Sequence, residues 1–186
     1  MRKIFAILCA VTLIYIMSAV FANSVMDDLS QNIIRLHIVA NSDSKCDQEI
    51  KLEIRDAILR ADINIDDFNS AAKNIHKIEN IANSVLSENG FSYGAVVNLG
   101  NFKFPEKKYD QITLPAGNYN GINVILGKGE GKNWWCVLSP PSCIMDKTVK
   151  FDETPLKNTL NRQTFSVISG DFKYKFKLFE FVKSLF

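Results

Sequence analysis

The hydrophobic pattern of the chain changes period several times, and each change predicts a new element. In residues 32–41, NIIRLHIVAN, every second position from Ile34 to Ala40 is apolar, which predicts a strand with one buried face. From Ser44 onwards apolar residues recur every three or four positions, so a helix is predicted to start there and to run to about Ala61. Asp47, three residues after Ser44, resembles the partner of a capping box.

A second helix is predicted for residues 67–89, with Gly90 as its C-terminal stop. After this glycine the period changes to two, and residues 91–100 are typical of a further strand. The apolar runs 118–126 and 134–138 flank the glycine-rich stretch GKGEGKN, and this arrangement predicts a hairpin.

These elements predict an α+β fold in a single domain, with a small three- to four-stranded, mostly antiparallel sheet packed with two helices on one face. Residues 102–117 are predicted to be a loop. In the tail, residues 171–186, phenylalanines first alternate with lysines and then keep helical spacing, which predicts a C-terminal amphipathic helix. Packing of this helix on the domain is the favoured interpretation, and contact with a membrane surface is the alternative.

The N-terminus has the pattern of an export signal. Two basic residues precede an apolar run, and small residues follow it up to Ala22. Cleavage after Ala22 is therefore predicted, which assigns residues 1–22 to a signal peptide and residues 23–170 to the folded domain. Since a spanning helix needs about 20 apolar residues, an uncleaved membrane anchor is the alternative. In both cases we expect the domain to work outside the cytoplasm.

Composition supports a folded domain and argues against nucleic-acid binding. Hydrophobic residues make up 47% of the chain, more than disordered segments contain. Residues 1–22 carry two of the 22 basic residues and none of the 20 acidic ones, so the remainder has 20 charges of each sign. A neutral domain lacks the basic surplus with which proteins bind nucleic acid.

The sequence predicts no cofactor and no metal. GKGEGK, residues 127–132, lacks the first glycine and the final Ser or Thr of a phosphate loop, so its glycines are interpreted as turn residues. His37 and His76 lie on different predicted elements, and no pair of Cys or His residues has the spacing of a zinc finger.

Cys136 and Cys143 enclose six residues rich in turn formers. In an exported chain a disulfide between them is the favoured interpretation. The alternative is a nucleophilic Cys136 assisted by His37 or His76. Cys46, near a predicted helix start, is expected to be a buried small hydrophobe.

Trp134 and Trp135 are neighbours in a predicted strand, so their side chains must point to opposite faces. One of them is predicted to be a buried anchor and the other an outward contact residue beside the Pro-Pro loop. Coverage of the outward tryptophan by the helices or the tail is the alternative.

Three blocks of the sequence together resemble the stage II sporulation protein R family of endospore-forming bacteria. They are IIRLHIVANSDSKCDQEIKLEIRDAIL, FPEKKYDQITLPAGNY and GKGEGKNWWCVLSPPSC. The resemblance implies an intercellular signal that is made in the forespore and exported to the space between the two membranes. There it would activate a membrane-embedded aspartic protease of the mother cell, which processes the sigma-E precursor. It implies an activator and not a catalyst.

On this implication we expect the outer domain of the protease to be contacted by Trp134, Trp135, Arg35, His37 and Arg55. Two other functions stand as alternatives. One is an exported thiol or cell-wall hydrolase that uses Cys136, and the other is a structural bridge between facing membranes.

Overall fold

The computed structural model describes residues 2–61, 63–142 and 151–171. Helices and strands follow one another in an α+β order within one domain, as the sequence predicts. In chain order the elements are α1 (Arg2–Asn32), β1 (Ile34–Val39), α2 (Lys45–Arg60), α3 (Phe68–Glu88), β2 (Ala95–Phe104), β3 (Lys107–Tyr109), β4 (Ile112–Leu114), β5 (Gly117–Leu126), β6 (Asn133–Ser139), α4 (Thr154–Thr159) and α5 (Arg162–Ile168).

Four strands form the main sheet in the order β2-β5-β1-β6, and β3 pairs with β4 in a separate hairpin. β1 and β5 are parallel, whereas β2 and β6 run antiparallel to their neighbours. The predicted four-stranded, mostly antiparallel sheet is confirmed. The predicted hairpin between residues 118–126 and 134–138 is wrong, because β1 lies between β5 and β6.

The connection from β5 to β6 crosses the carboxyl end of β1 and is hydrogen-bonded to it. The Glu130 amide donates to the Asn41 carbonyl at 3.2 Å, and the Gly131 amide donates to the Ala40 carbonyl at 2.9 Å. A Cβ atom at Gly131 would lie 2.2 Å from the Ser42 carbonyl oxygen, so the close approach requires glycine. The glycine-rich stretch is thus a crossover and not a hairpin turn.

The hairpin of β3 and β4 lies within residues 102–117, where a loop is predicted. β2 also differs from the prediction, since it begins at Ala95 and continues to Phe104. Each hairpin strand has three residues, and Ile112 and Leu114 are its buried apolar positions. A repeat this short does not distinguish a strand from a loop.

α2 and α3 cover one face of the main sheet, as predicted. Ser44 caps α2 by accepting the Asp47 amide at 3.2 Å, and Asp67 caps α3 by accepting the Ser70 amide at 2.7 Å. Their inner sides pack against alternate residues of the strands to form what we call the helix-side core, which includes Leu36, Ile38, Ile54, Ile78, Ala82, Ile122 and Val124.

The opposite face of the sheet carries a second core that the sequence analysis does not predict. The end of α1, the β3–β4 hairpin, α4 and α5 contribute to it, and its members include Leu29, Ile33, Phe104, Leu114, Tyr119, Val137 and Ile168. β1 is therefore covered on both faces, and Arg35 is fully buried. The prediction of one buried face is wrong because the covering segments come from distant parts of the chain, which the local alternation does not reveal.

α1 continues without a break from the apolar N-terminal stretch into the second core. An 18-residue window of α1 has a mean hydropathy of 2.6, which suffices to cross a membrane and which signal sequences also reach. Beyond position 22, Val25 and Leu29 are buried. Cleavage after Ala22 stays a prediction, as does the amphipathic C-terminal helix, since residues 172–186 lie outside the described residues.

Identical substitutions on the two faces of the sheet should have different effects. Val124→Ala is expected to lower the free energy of unfolding by about 2 kcal/mol, since Val124 is fully buried and the change removes buried carbon and leaves a cavity. Val96→Ala is the matched control, because Val96 is 57% exposed, and it should change stability by less than about 0.5 kcal/mol. Urea unfolding of the detergent-solubilised chain measures both. Equal losses would contradict this assignment of the two faces.

Candidate functional site

Trp134 and Trp135 lie side by side in β6 and pack on opposite faces of the sheet. Trp134 is paired with Ile38 and contacts the helix-side core, whereas Trp135 is paired with His37 and contacts the second core. Both tryptophans are half-buried. The expected division into a buried anchor and an outward contact residue is thus replaced by one partly accessible tryptophan on each face.

Trp135 forms an aromatic group with His37 and Phe104. The rings of Trp135 and His37 stack with their centroids 3.7 Å apart and an interplanar angle of 6°. Phe104 meets Trp135 edge-to-face at 5.2 Å. His37 Nε2 lies 2.7 Å from Asn133 Oδ1, so this nitrogen carries a proton and donates.

The charge state of His37 is set mainly by its burial. Desolvation lowers its pKa below 6.5, the hydrogen bond with Asn133 raises the pKa, and the Arg35 charge lowers it again. Because the net change is a lowering, His37 is predominantly neutral at pH 7. The stack with Trp135 is therefore a contact between two uncharged rings.

Arg35 lies fully buried next to this aromatic group. Its guanidinium carbon is 4.5 Å from the centroid of Phe104 and 4.9 Å from that of Tyr119. Nη1 donates to the Pro105 carbonyl at 3.4 Å, and Nη2 donates to the Tyr109 hydroxyl at 3.3 Å. Among the described residues no carboxylate forms an ion pair with it. Cation–π contacts stabilise the buried charge of Arg35. Its guanidinium also joins the β3–β4 hairpin to the main sheet.

Arg55 on α2 makes the corresponding cation–π contact on the helix side. Its guanidinium carbon lies 4.4 Å from the Trp134 ring centroid, and it forms an ion pair with Asp56 at 2.5 Å. Arg55, like Arg35, is buried. Neither arginine presents its charge on the surface. Arg55 packs directly against Trp134, whereas Arg35 packs against Phe104, which in turn meets Trp135.

A polar cluster joins the start of α2 to the end of β1. The buried Asp47 carboxylate accepts the Ser42 hydroxyl at 2.5 Å and the Asn41 amide at 3.0 Å, and it also accepts the Tyr93 hydroxyl. Burial raises the pKa of Asp47, but these hydrogen bonds together outweigh it and lower the pKa to about 2. The predicted capping box is half correct, since Ser44 caps the helix while the Asp47 side chain turns to the cluster.

Cys136 is buried in the helix-side core, where it is paired with Leu36. His37 lies on the other face of the sheet, and His76 is exposed on α3. Neither imidazole is therefore placed to act as a base for the Cys136 sulfur. Cys143 lies outside the described residues, and its disulfide with Cys136 stays a prediction.

The described residues hold no group of three or more His, Cys, Asp or Glu side chains that could bind a metal. A cavity of about 340 Å³ lies between the loop before α3 and the end of β6, and its lining residues are Ile63, Asn64, Ile65, Asp66, Leu138 and Pro141. This lining contains no nucleophilic thiol and no imidazole. Cys46, expected to be buried, is exposed on α2.

Three residues that support the site are not among the contact residues predicted from the sequence. They are Tyr93, Tyr109 and Asn133, which hydrogen-bond to Asp47, Arg35 and His37 respectively. Tyr109 and Arg35 are 74 positions apart, so a local pattern carries no sign of their contact. The available signal is the placement of Tyr109 and Asn133 within the two later blocks that carry the family resemblance.

Comparison with known proteins identifies relatives of the chain. The family model described as stage II sporulation protein R matches residues 30–149. The curated stage II sporulation protein R of Bacillus subtilis (strain 168) is 37% identical over 147 residues, and the match covers 73% of this chain and 65% of that relative. The chain thus spans just under two thirds of the relative's length. No solved structure matches the chain.

Removal of the Asp47 charge should weaken the fold in a pH-dependent way. At pH 7, Asp47→Asn is expected to lower the free energy of unfolding by about 2 kcal/mol, because the hydrogen bonds favour the carboxylate in the folded state. In the unmodified chain this contribution is present above pH 3.8 and is lost as the pH falls towards 2. Urea unfolding at pH 7 and pH 3 tests the expectation. Asp110→Asn, in an exposed turn, is the control and should have little effect at either pH.

His37 should titrate below its ordinary pKa of 6.5, since its burial disfavours the charged ring. Asn133→Ala should lower the midpoint further, because the hydrogen bond with Asn133 raises the pKa. The fold should correspondingly lose stability as the pH drops below 6.5, where the unfolded chain binds the proton first. NMR titration of the ring protons measures the midpoint, and His76→Ala assigns the two histidine signals. A midpoint at or above 6.5 would contradict the buried position.

Proposed function

The chain belongs to the stage II sporulation protein R family, and on that premise we propose that it is an exported signal from the forespore to the mother cell. It activates a membrane-embedded aspartic protease of the mother cell, and this triggers processing of the sigma-E precursor. The observation that carries the proposal is the apolar α1 in front of a domain that the family model matches over residues 30–149.

The signal acts by binding and not by catalysis. A ligand shifts a conformational equilibrium only if it binds one state more tightly than the other. To change the active fraction of the protease from one molecule in a hundred to ninety-nine, the preference must be about 5.5 kcal/mol. An interface with a few aromatic anchors supplies binding energy of this size.

The accessible aromatic residues are the direct contacts of this interface. Trp135 and His37 contact the outer domain of the protease through one face of the sheet, and Trp134 is available on the other. Arg35 and Arg55 are positioning residues, because both are buried. Arg55 supports Trp134 directly, and Arg35 supports Trp135 through Phe104.

A disulfide between Cys136 and Cys143 closes the loop after β6. Two points support it. An oxidising environment is expected for an exported chain, and only six residues, rich in turn formers, separate Cys136 from Cys143. The bridge contributes about 2.5 kcal/mol by restricting the unfolded chain.

The protein works in the intermembrane space. It is secreted there if α1 is cleaved after Ala22, and it is anchored to the membrane if α1 is retained. The tail, residues 171–186, packs on the domain or makes a peripheral membrane contact. Its phenylalanines and lysines support the membrane contact, as does its start after α5, which packs against α1.

The two alternatives are less well supported. A thiol or cell-wall hydrolase needs a base for Cys136, and neither His37 nor His76 is placed to serve it. A structural bridge between facing membranes needs a retained α1. The continuous path of α1 into the second core is compatible with such an anchor, and also with cleavage after Ala22.

The test is processing of the sigma-E precursor in a non-sporulating bacterial host that carries the cognate membrane protease. Processing is expected with the intact chain and not with a chain lacking residues 1–22, which stays in the cytoplasm. Immunoblots of the precursor and of the exported chain provide the readout. An exported, folded chain that leaves the precursor uncleaved would contradict the proposal.

The two cysteines separate activator from hydrolase in the same assay. If Cys136 and Cys143 form a structural disulfide, Cys136→Ser and Cys143→Ser should reduce processing to the same extent. A hydrolase instead requires Cys136 alone, so Cys143→Ser would be tolerated. That unequal result would favour the enzyme.

A further inference from the structure

The second core covers only half of its face of the sheet. Side chains on this face form rows across the strands, and Gly100, Gly121 and Arg35 lie in one of them. The Phe104 ring covers this row, since a Cβ atom at Gly121 would lie 2.8 Å from it. Beyond this row, the second core reaches Trp135 and His37, whose rings meet Phe104.

Two further rows continue towards the carboxyl end of β1. One consists of Asn98, Asn123, His37 and Trp135, and the next consists of Val96, Ile125, Val39 and Asn133. Val96 is 57% exposed, Asn98 and Asn133 are exposed, and the other five side chains are half-buried. We call these eight residues the open face.

The open face contains no ionisable side chain other than His37. It combines three aliphatic residues, three amides and the stacked rings of His37 and Trp135. The Asn123 amide oxygen is buried without a hydrogen-bond partner among the described residues. A partner N–H would satisfy this desolvated acceptor if the amide turned outward.

The open face lies at the far end of the sheet from the apolar helix. Met26 of α1 lies beside Gly117 at the start of β5, and Ser30 accepts a hydrogen bond from Asn120. α1 therefore runs alongside β5, and its N-terminal part extends past Gly117, away from Ile125. From Gly117 to Ile125 the strand spans about 26 Å.

We propose that the open face docks the outer domain of the mother-cell protease through an uncharged contact surface that supplies apolar side chains and an N–H donor. The inference rests on the proposed function and adds to it the surface and the chemistry of its partner. Since no residue of the face other than His37 is ionisable, recognition rests on apolar contacts and hydrogen bonds. The position opposite α1 directs the face away from the membrane that α1 enters.

The open face measures about 19 by 14 Å, from four strands at ~4.8 Å spacing and two rows of side chains. A stable interface buries about 800 Å² on each partner, so the open face is its central part and not its whole extent. Central anchors contribute most of the binding energy in such interfaces. A charge placed within the open face should therefore strongly weaken docking to the protease.

The test places a charge on the open face of the full chain. Asn98→Asp changes an exposed amide into a carboxylate of the same shape, and Val96→Glu places a charge at the most exposed apolar position. Asn80→Asp, on the outward side of α3, is the matched control because Asn80 is also exposed. The amount of each variant, the fraction exported and its tryptophan fluorescence report whether the variant folds.

In the precursor-processing assay, Asn80→Asp should equal the unmodified chain, whereas Asn98→Asp and Val96→Glu should reduce processing at least tenfold. Higher ionic strength should leave binding of the unmodified chain to the purified outer domain unchanged. If the unmodified chain triggers processing and both open-face variants match it, the open face is not the docking surface although the proposed function holds.

Crosslinking gives a second readout that does not depend on processing. A photoreactive residue at position 96, in the sporulating organism, should crosslink to the protease, and one at position 80 should not. A crosslink from position 96 to a second copy of the chain or to an unrelated protein would overturn the docking inference. Failure of the unmodified chain to trigger processing would overturn the proposed function instead.

Discussion

β1 constrains the rest of the structure, because it is one of the two inner strands of a sheet that is covered on one side and half covered on the other. Its even-numbered residues Leu36 and Ile38 belong to the helix-side core, and Arg35 is buried on the other side. Since the side chains of a strand alternate, a shift of one residue in register would place the guanidinium in the helix-side core. The positions of β5, β6 and both layers of helices depend on this one register.

The elements that the sequence predicts well are those determined by neighbouring residues. Ser44 and Asp67 cap their helices through contacts within three residues, and Gly90 ends α3 with φ of 74°. The topology of the sheet depends on distant contacts, and here the hairpin prediction fails. The run 118–126 pairs with β1, which lies more than 80 positions earlier in the chain, and two flanking apolar runs contain no information about that strand.

The candidate site shows the same division. Opposite orientations of Trp134 and Trp135 follow from strand geometry alone, and the structure has them. The burial of Arg35 does not follow, because it depends on aromatic rings from β2 and β5 and on a hairpin that the sequence analysis places in a loop. The residues of the open face become recognisable only after β2 and β5 are paired, since each strand by itself offers one aliphatic and one amide position.

The second core joins the two ends of the domain, and this has a consequence for export. The first part of the domain contributes Val25, Leu29 and Ile33 to this core, and the last part contributes Leu156, Leu160 and Ile168. A chain that emerges from a membrane N-terminus first can build the helix-side core from residues 34–136 while α4 and α5 are still inside. The second core is complete only after residue 168 has crossed the membrane. The core behind Phe104 is therefore completed late, so a chain that stalls during translocation lacks part of the support for the aromatic group.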